Sequence, residues 1–424
     1  MFQRALHPHD LNELYTKWTV AGAVFFVALE ACYWYLSGAP SFSKPSVDFN
    51  TYAVGRDFIN TWMGGRSAFE GGPAAWFDMA NYNAALREML GSFFPDHYWS
   101  YPPHILLFIW PFGLLPYFPA YLLWCVLGVA LYLLASTQLV RRNYLLFLAV
   151  APGVAVCAFF GQNGFYTSAL FLGGMMLLDR RPLLAGILFG ILTVKPQIGY
   201  LLPIVLLLTG RWRTIAAACA TAAALIAATT IWFGADIWVE YFEKVLPQQK
   251  WLITDGRGLL LTMVSSVFFA SRRIELPQYI GWALQIVVSL SVIAAVIWTY
   301  WRKRDPLLSL AFLATATFLA SPYILNYDMV MLGCMVAALR DREDTTDFDH
   351  WLGLAVWSLP ASMMLFGALF IPIAPVVLIV FAGRLLQRLR QSERRQPSQP
   401  SELVQILGSL ICSRRAAGKA MAGQ

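Results

Sequence analysis

The chain is 424 residues long, 58% hydrophobic and only 13% charged, with a formal net charge of +7. Soluble domains carry about 25% charged residues, so this composition excludes a soluble globular protein and describes a polytopic membrane protein. The surplus cations sit in short gaps between apolar runs and in the C-terminal tail, where topology and anionic headgroups account for them, so nucleic acid is not an indicated partner. At ~20 residues per span, the length holds about twelve helices.

The gaps between apolar runs alternate in kind. One set is rich in Arg and Lys: Arg141-Arg142, Arg180-Arg181, Arg211 with Arg213, Arg302-Lys303-Arg304, Arg340 with Arg342, then Arg384 onward. Such loops stay in the cytoplasm, so the other set, which holds most of the chemically capable polar residues, should meet on the opposite side.

In chain order, a retained signal anchor over about 17–37 carries the chain outward from a cytoplasmic N-terminus. Residues 38–103 form a long non-cytoplasmic first loop, rich in glycine, aromatic residues and acids. The stretch from His104 to Val140 is broken by Pro111, Pro116 and Pro119, so a short apolar piece near 104–115 reads as re-entrant or half-inserted, and a span over about 118–140 follows. Runs at 144–160 and 165–179 flank the turn Gly161-Gln162-Asn163-Gly164. Runs at 182–194 and 198–210 flank Lys195-Pro196-Gln197. After a span at 214–233, the segment 234–277 is expected outside, with an amphipathic piece near 258–270 that dips into the membrane, because a span there would strand Arg302-Lys303-Arg304 on the wrong side. Spans at 278–301, 306–320, 328–340, 351–369 and 371–387 return the C-terminus to the cytoplasm. Residues 1–390 thus read as one polytopic membrane domain, and 391–424 as a basic cytoplasmic tail, disordered or bound to the membrane surface. Six isolated cysteines, with no CxxC pair and no metal-ligand spacing, support neither a disulfide framework nor a metal site.

Lys195 stands out among the outer-side residues. A lysine at a bilayer centre costs ~2.5–3.5 kcal/mol, and this one runs against the charge bias of the chain. Pro196 breaks the helix behind it and lets the ammonium project into a cavity, where phosphate is its natural partner; the alternative is a side chain that snorkels to headgroups. Asp57 precedes Phe58, Ile59 and Trp62 at helical spacing, so it heads a helix expected on the membrane surface, and Asp48 competes for any acid–base role. The carboxamides of Gln162 and Asn163 suit a hydroxyl-rich ligand, or simply a hydrogen-bonded turn. Asp328, at the start of a span, is placed to cap a helix.

These turns, taken in order, resemble glycosyltransferase family 87 (domain of unknown function 2029), the polyprenol-phosphate-mannose-dependent α-mannosyltransferase type. The matching segments are Asp57-Phe58 with Gly71-Gly72-Pro73, Tyr101-Pro102-Pro103 running into Trp110-Pro111, and Gly161-Gln162-Asn163. Gly186 to Gly190 with Lys195-Pro196-Gln197, and Ser321-Pro322-Tyr323, complete the set. The resemblance spans about residues 15 to 390. It implies an all-α GT-C bundle that takes a hexose, mannose first among them, from a polyprenyl phosphate and inverts the anomeric centre on the non-cytoplasmic face. The setting it implies is a bacterial inner membrane, the partners a lipid-linked sugar and a lipid or glycan acceptor, and no metal or other cofactor is required.

In that family an aspartate of the first outer loop is the general base, and Asp57 is the matching position here, with Asp48 as runner-up. Some members carry histidines after the Ser-Pro turn, where this chain has Asn326-Tyr327-Asp328, so Lys195 and Arg56 are expected to face the donor phosphate. Gln162, Asn163, Tyr323, Asn326 and Asp328 are expected to line the sugar or acceptor. The competing reading from the same lysine and broken helices is a transporter or lipid flippase.

Overall fold

The computed structural model describes residues 8–37 and 53–395, and every regular element among them is helical. Asp48 and the tail beyond residue 395 lie outside the described residues.

The first helix, α1, is Pro8–Ser37. The outer segment contributes α2 (Phe58–Glu70) and α3 (Met79–Leu90), the latter capped by Asp78, whose carboxylate accepts from Ala80 N at 3.0 Å and Asn81 N at 3.1 Å. The short apolar piece near 104–115 is α4 (Leu106–Gly113), and α5 (Tyr117–Ser136), long and apolar enough to cross a membrane, follows. The expected run at 144–160 is broken: α6 (Leu145–Ala149) and α7 (Pro152–Phe159) meet at a 47° bend, where Pro152 cannot continue the hydrogen-bond ladder. Next come α8 (Gly164–Leu177), α9 (Pro182–Ile191), α10 (Pro196–Gly199), α11 (Leu202–Leu208) and α12 (Trp212–Phe233).

In the segment expected outside, α13 (Asp236–Glu240) runs through a π-helical turn at Tyr241–Val245 into α14 (Leu246–Asp255). The piece near 258–270 does not dip as one helix. It splits into α15 (Leu260–Met263) and α16 (Val267–Arg273), and the strip between them bridges Val264 to Leu325. The chain ends with α17 (Gln278–Trp301), α18 (Pro306–Ala320), α19 (Val330–Leu339), α20 (Asp347–Ala368) and α21 (Ile373–Arg395).

Five helices among the described residues are long and apolar enough to cross a membrane: α1 (over Asp10–Ala31), α5, α12, α17 and α20; the bent pair α6–α7 makes a sixth if it is one span. The outermost show what a lipid face requires. Of the residues in α12 only Thr214 and Thr229 are buried, and α17 leaves Leu284, Ile286, Val287 and Leu290 exposed. At the centre the pattern inverts, since α18 is buried at every position from Leu308 to Ala320. The 15 residues of α18 measure about 22 Å at 1.5 Å per residue, short of the ~30 Å apolar layer. Non-helical backbone at that depth is tolerated only where it is enclosed by protein or lines a cavity, and the turns that end the short central helices do both.

Small residues bring the helices close. On α9, Gly186 and Gly190 lie against α12, where a Cβ on either would fall 2.4 Å from Thr214 O or 2.5 Å from Thr221 Cβ. Gly65 of α2 and Gly113 of α4 meet in the same way, backbone to backbone. The helix after Asp57 is therefore not a surface helix. Ten of its residues, Phe58 to Gly65 with Ser67 and Ala68, are buried, and Trp62 Nε1 donates to Leu115 O at 3.0 Å.

Candidate active site

Four turns converge at one end of the bundle: Ala53–Asp57, Phe160–Asn163, Val194–Gln197 and Ser321–Asp328. Together with residues 96–102 and 249–263 they surround a cavity of about 620 Å³.

The first turn is tight. Arg56 N donates to Ala53 O at 2.7 Å and Phe58 N to Gly55 O at 2.8 Å. Gly55 (φ +78°) and Arg56 (φ +47°) are both left-handed. Glycine suits the first position, where a Cβ would meet the Tyr121 ring at 2.8 Å. At the second the side chain is kept despite a conformational cost of ~1–2 kcal/mol, and the Arg56 guanidinium stands 5.5 Å from the centre of the Phe159 ring.

The Gly-Gln-Asn-Gly turn is built by its neighbours. A Cβ on Gly161 (φ +59°) would sit 2.4 Å from Phe58 Cβ, and one on Gly164 would sit 1.9 Å from Tyr327 O. The two glycines thus clasp this turn between the Asp57 turn and the Asn326 turn. In that register Asp57 N donates to Phe160 O at 3.0 Å.

The carboxamides then divide the work. Gln162 Nε2 donates to Asp57 Oδ2 at 2.6 Å, while Tyr101 OH donates to Gln162 Oε1 at 2.8 Å. Asp57 occupies the N-cap position of α2 but makes no capping bond, and its Oδ1 has no hydrogen-bond partner among the described residues. The next residue, Asn163, accepts from Lys195 Nζ through Oδ1 at 2.9 Å. One dipeptide therefore holds an acid with one side chain and a cation with the other.

Lys195 is not free for a ligand. It is 5% exposed, donates to Asp328 Oδ1 at 2.6 Å, and lies 5.0 Å from the Tyr327 ring centre. Asp328 is fully buried and its Oδ2 has no hydrogen-bond partner among the described residues. Two of the three ammonium donors are engaged, and Asp328 neutralises the charge. The expected capping role of Asp328 gives way to this ion pair, because a lysine at this depth must be paired.

The structure thus brings Arg56, Asp57, Gln162, Lys195 and Tyr323 together on the cavity wall. It does not bring Asn163, Asn326 and Asp328 there. Asn163 and Asp328 support Lys195 from behind, and Asn326 is fully buried, donating to Pro360 O at 2.8 Å while accepting from Tyr327 N at 3.0 Å.

Among the further residues on the cavity wall that sequence reasoning did not select are Asn60, Asp96, His97, Gln249 and Arg257. Arg257 is exposed to the cavity and makes no ion pair among the described residues. Its only sequence signal is its place between Gly256 and Gly258 in an outer segment. Gln249 Nε2 donates to Ser100 O at 2.6 Å, tying α14 to the opposite wall. Burial holds the His97 imidazole below its ordinary 6.5, and the Asp57 carboxylate pulls it the other way. The ring is stacked on Phe94 at 5.1 Å.

Residues 99–322 match glycosyltransferase family 87, just over half of the sequence. No curated protein and no solved structure matches the chain. The matched stretch holds Tyr101, Gln162, Asn163 and Lys195 with the turns that seat them, while Asp57 and Asp328 lie beyond its ends and are brought in by the fold, Asp57 to the cavity wall and Asp328 to Lys195 behind it. A family match over more than half of the chain, on an apolar helical frame, is sufficient: this membrane protein belongs to glycosyltransferase family 87 and works with a sugar donor and an acceptor.

Proposed function

We propose that the protein transfers a hexose, mannose in the first instance, from a polyprenyl-phosphate donor to a lipid or glycan acceptor, with Asp57 as general base. The observation that carries this reading is the Asp57 carboxylate, fixed through Oδ2 by Gln162 and left open at Oδ1 on a cavity of about 620 Å³. In the reaction Asp57 takes the proton from an acceptor hydroxyl and the oxygen attacks the anomeric carbon. The bond from that carbon to the phosphate oxygen breaks, and the polyprenyl phosphate leaves with the electron pair. One displacement inverts the centre. A positioned general base contributes ~10²–10⁴-fold, and cations aimed at the developing phosphate charge contribute further in a site that excludes water.

For the donor phosphate the reading assigns Arg56 and Lys195, and adds Arg257. Since Lys195 is paired with Asp328, its share is one remaining N–H and the positioning of the wall, and Arg257 adds a cation with no ion pair among the described residues. Tyr323, Gln249 and Asn60 are the wall groups that would meet sugar or acceptor hydroxyls. Trp251, Leu252, Leu260 and Met263 give one side of the cavity an apolar lining suited to a prenyl chain.

We place this cavity on the non-cytoplasmic side of a bacterial inner membrane, with both termini in the cytoplasm and about twelve crossings. The placement follows from the Arg-rich gaps at the opposite ends of the same helices.

The test is transfer from radiolabelled polyprenyl-phosphate sugars by the purified chain. Wild type transfers label and Asp57→Asn loses about 10²–10⁴-fold in kcat while still folding. Full activity in Asp57→Asn removes the base assignment. If no donor reacts but reconstituted vesicles move a lipid or a solute, the transporter reading replaces this one.

A further inference from the structure

A second cavity, of about 460 Å³, lies at the other end of the bundle. The helix α8 runs from the Gly164 turn of the first site to Met175 and Met176 here, and α18 runs from Leu307 and Leu310 here to Ala320, just before the turn that carries Tyr323 there. Its polar wall is formed by Thr299, Tyr300, Lys303, Arg304 and Ser309, with the ion-paired Asp179 and Arg211 at its edge. Leu139, Leu178 and Val205 add to the apolar part.

Three hydroxyls of this wall are buried without a hydrogen-bond partner among the described residues: Thr299 Oγ1, Tyr300 OH and Ser309 Oγ. Thr299 is wholly inaccessible and Ser309 is 3% exposed. Buried hydroxyls are ordinarily satisfied, and a helical threonine has a ready acceptor one turn back, so three orphans around one cavity mark a place for a ligand with acceptor oxygens. Lys303 adds a cation with no ion pair among the described residues, held at φ +49°, a backbone that side chains other than glycine seldom adopt. A helix terminus accounts for cations after α17, but it does not account for the hydroxyls.

We infer that this cavity binds an anionic phospholipid, its phosphate at Lys303 and Arg304 and its glycerol esters at Thr299, Tyr300 and Ser309. The depth fits. Thr299 lies one helical turn, about 6 Å, inside Lys303, as ester oxygens lie inside a phosphate, and the methionines and leucines continue the wall toward acyl-chain depth. A soluble nucleotide or free phosphate has no use for that apolar extension. The inference needs only the membrane setting and is independent of the sugar chemistry proposed for the first cavity.

The test uses the full chain in neutral detergent, with lipid retention read by native mass spectrometry and unfolding temperature read alongside. Phosphatidylglycerol is expected to be retained over phosphatidylcholine and to raise the unfolding temperature. Lys303→Gly suits the left-handed backbone, so the variant should fold, and it should weaken retention about fivefold, the loss of one cation near a charged headgroup. Thr299→Val with Ser309→Ala should also lose the lipid-induced shift, while its unfolding temperature without lipid stays level or rises, because the orphaned hydroxyls are gone. Equal retention of the two lipids, unchanged retention in Lys303→Gly, or an equal shift with inorganic phosphate alone would each overturn the proposal.

Discussion

Single residues in the first site carry opposite burdens. Asp57 has one oxygen held by Gln162 and the other open, so it is placed to act. Gln162→Leu keeps the volume but frees the carboxylate, and kcat should fall at least tenfold with little change in unfolding temperature; an unaltered kcat would show that Gln162 does not position the base. Lys195 is a different case. Removing one partner of a buried ion pair costs about 3–5 kcal/mol, because the other charge is left stranded. Lys195→Met should therefore unfold at a much lower temperature, whereas Lys195→Met with Asp328→Leu should recover most of that loss. Activity of the double variant then separates the roles: turnover near wild type makes the pair structural, and loss of turnover in a folded protein assigns the ammonium to the donor. Much of this was legible in the chain. Lys195 stood out against the charge bias and Gln162-Asn163 by their glycine-flanked turn. The partner of Lys195 was not legible, because Asp328 lies 133 positions away and by itself resembles a helix cap.

At the scale of elements, the site is a matter of how closely turns approach. Gly161 and Gly164 are each pressed against a different neighbour, at 2.4 Å from Phe58 Cβ and 1.9 Å from Tyr327 O for an added methyl. Gly164→Ala meets backbone that cannot rotate away, and overpacking of this kind costs about 1–3 kcal/mol or more. It should shift the Asn326 turn and the Lys195–Asp328 pair together. Gly161→Ala adds left-handed strain and pushes Asp57 from Gln162, so it should lose activity out of proportion to stability. Gly383 in α21 is the control, since an added methyl meets nothing within 4 Å, and Gly383→Ala should be neutral or stabilise by about 0.5–1 kcal/mol. Thermal unfolding beside turnover for the three variants decides the matter; equal behaviour of all three would remove the clasping argument. The existence of α4 as a separate short helix and of the short central helices was readable from prolines and run lengths. The burial of α2 was not, because Gly65 shows its purpose only once Gly113 is opposite it.

At the scale of the molecule, the Arg-rich end is knit by ion pairs as the site end is knit by glycines. Asp344 accepts from Arg388 at 2.7 Å and from Arg342 at 2.9 Å, and Arg384 bonds Asp349 at 2.6 Å, so the loop before α20 is tied to α21. Burial by itself would raise the Asp344 carboxyl, but the Arg388 and Arg342 hydrogen bonds outweigh it and hold it at about 2, below the ordinary 3.8. A depressed carboxyl contributes its stability above the unfolded value and loses it as the pH falls through the folded one. Unfolding temperature should therefore decline between pH ~4 and ~2, and Asp344→Asn should start lower and decline less over that window. An identical slope in the variant would place the acid sensitivity elsewhere.

What the sequence determined by itself is a helical membrane protein and a short set of polar turns, because apolar run length, cation bias and proline placement are local properties of a chain. Only the tertiary structure decided that Gln162 faces Asp57 while Asn163 faces Lys195, that Asp328 neutralises the lysine, and that Arg257 joins the cavity. Those are pairings across tens to hundreds of residues. They follow from which helices pack together, and packing is set by close backbone approaches that no run of sequence records.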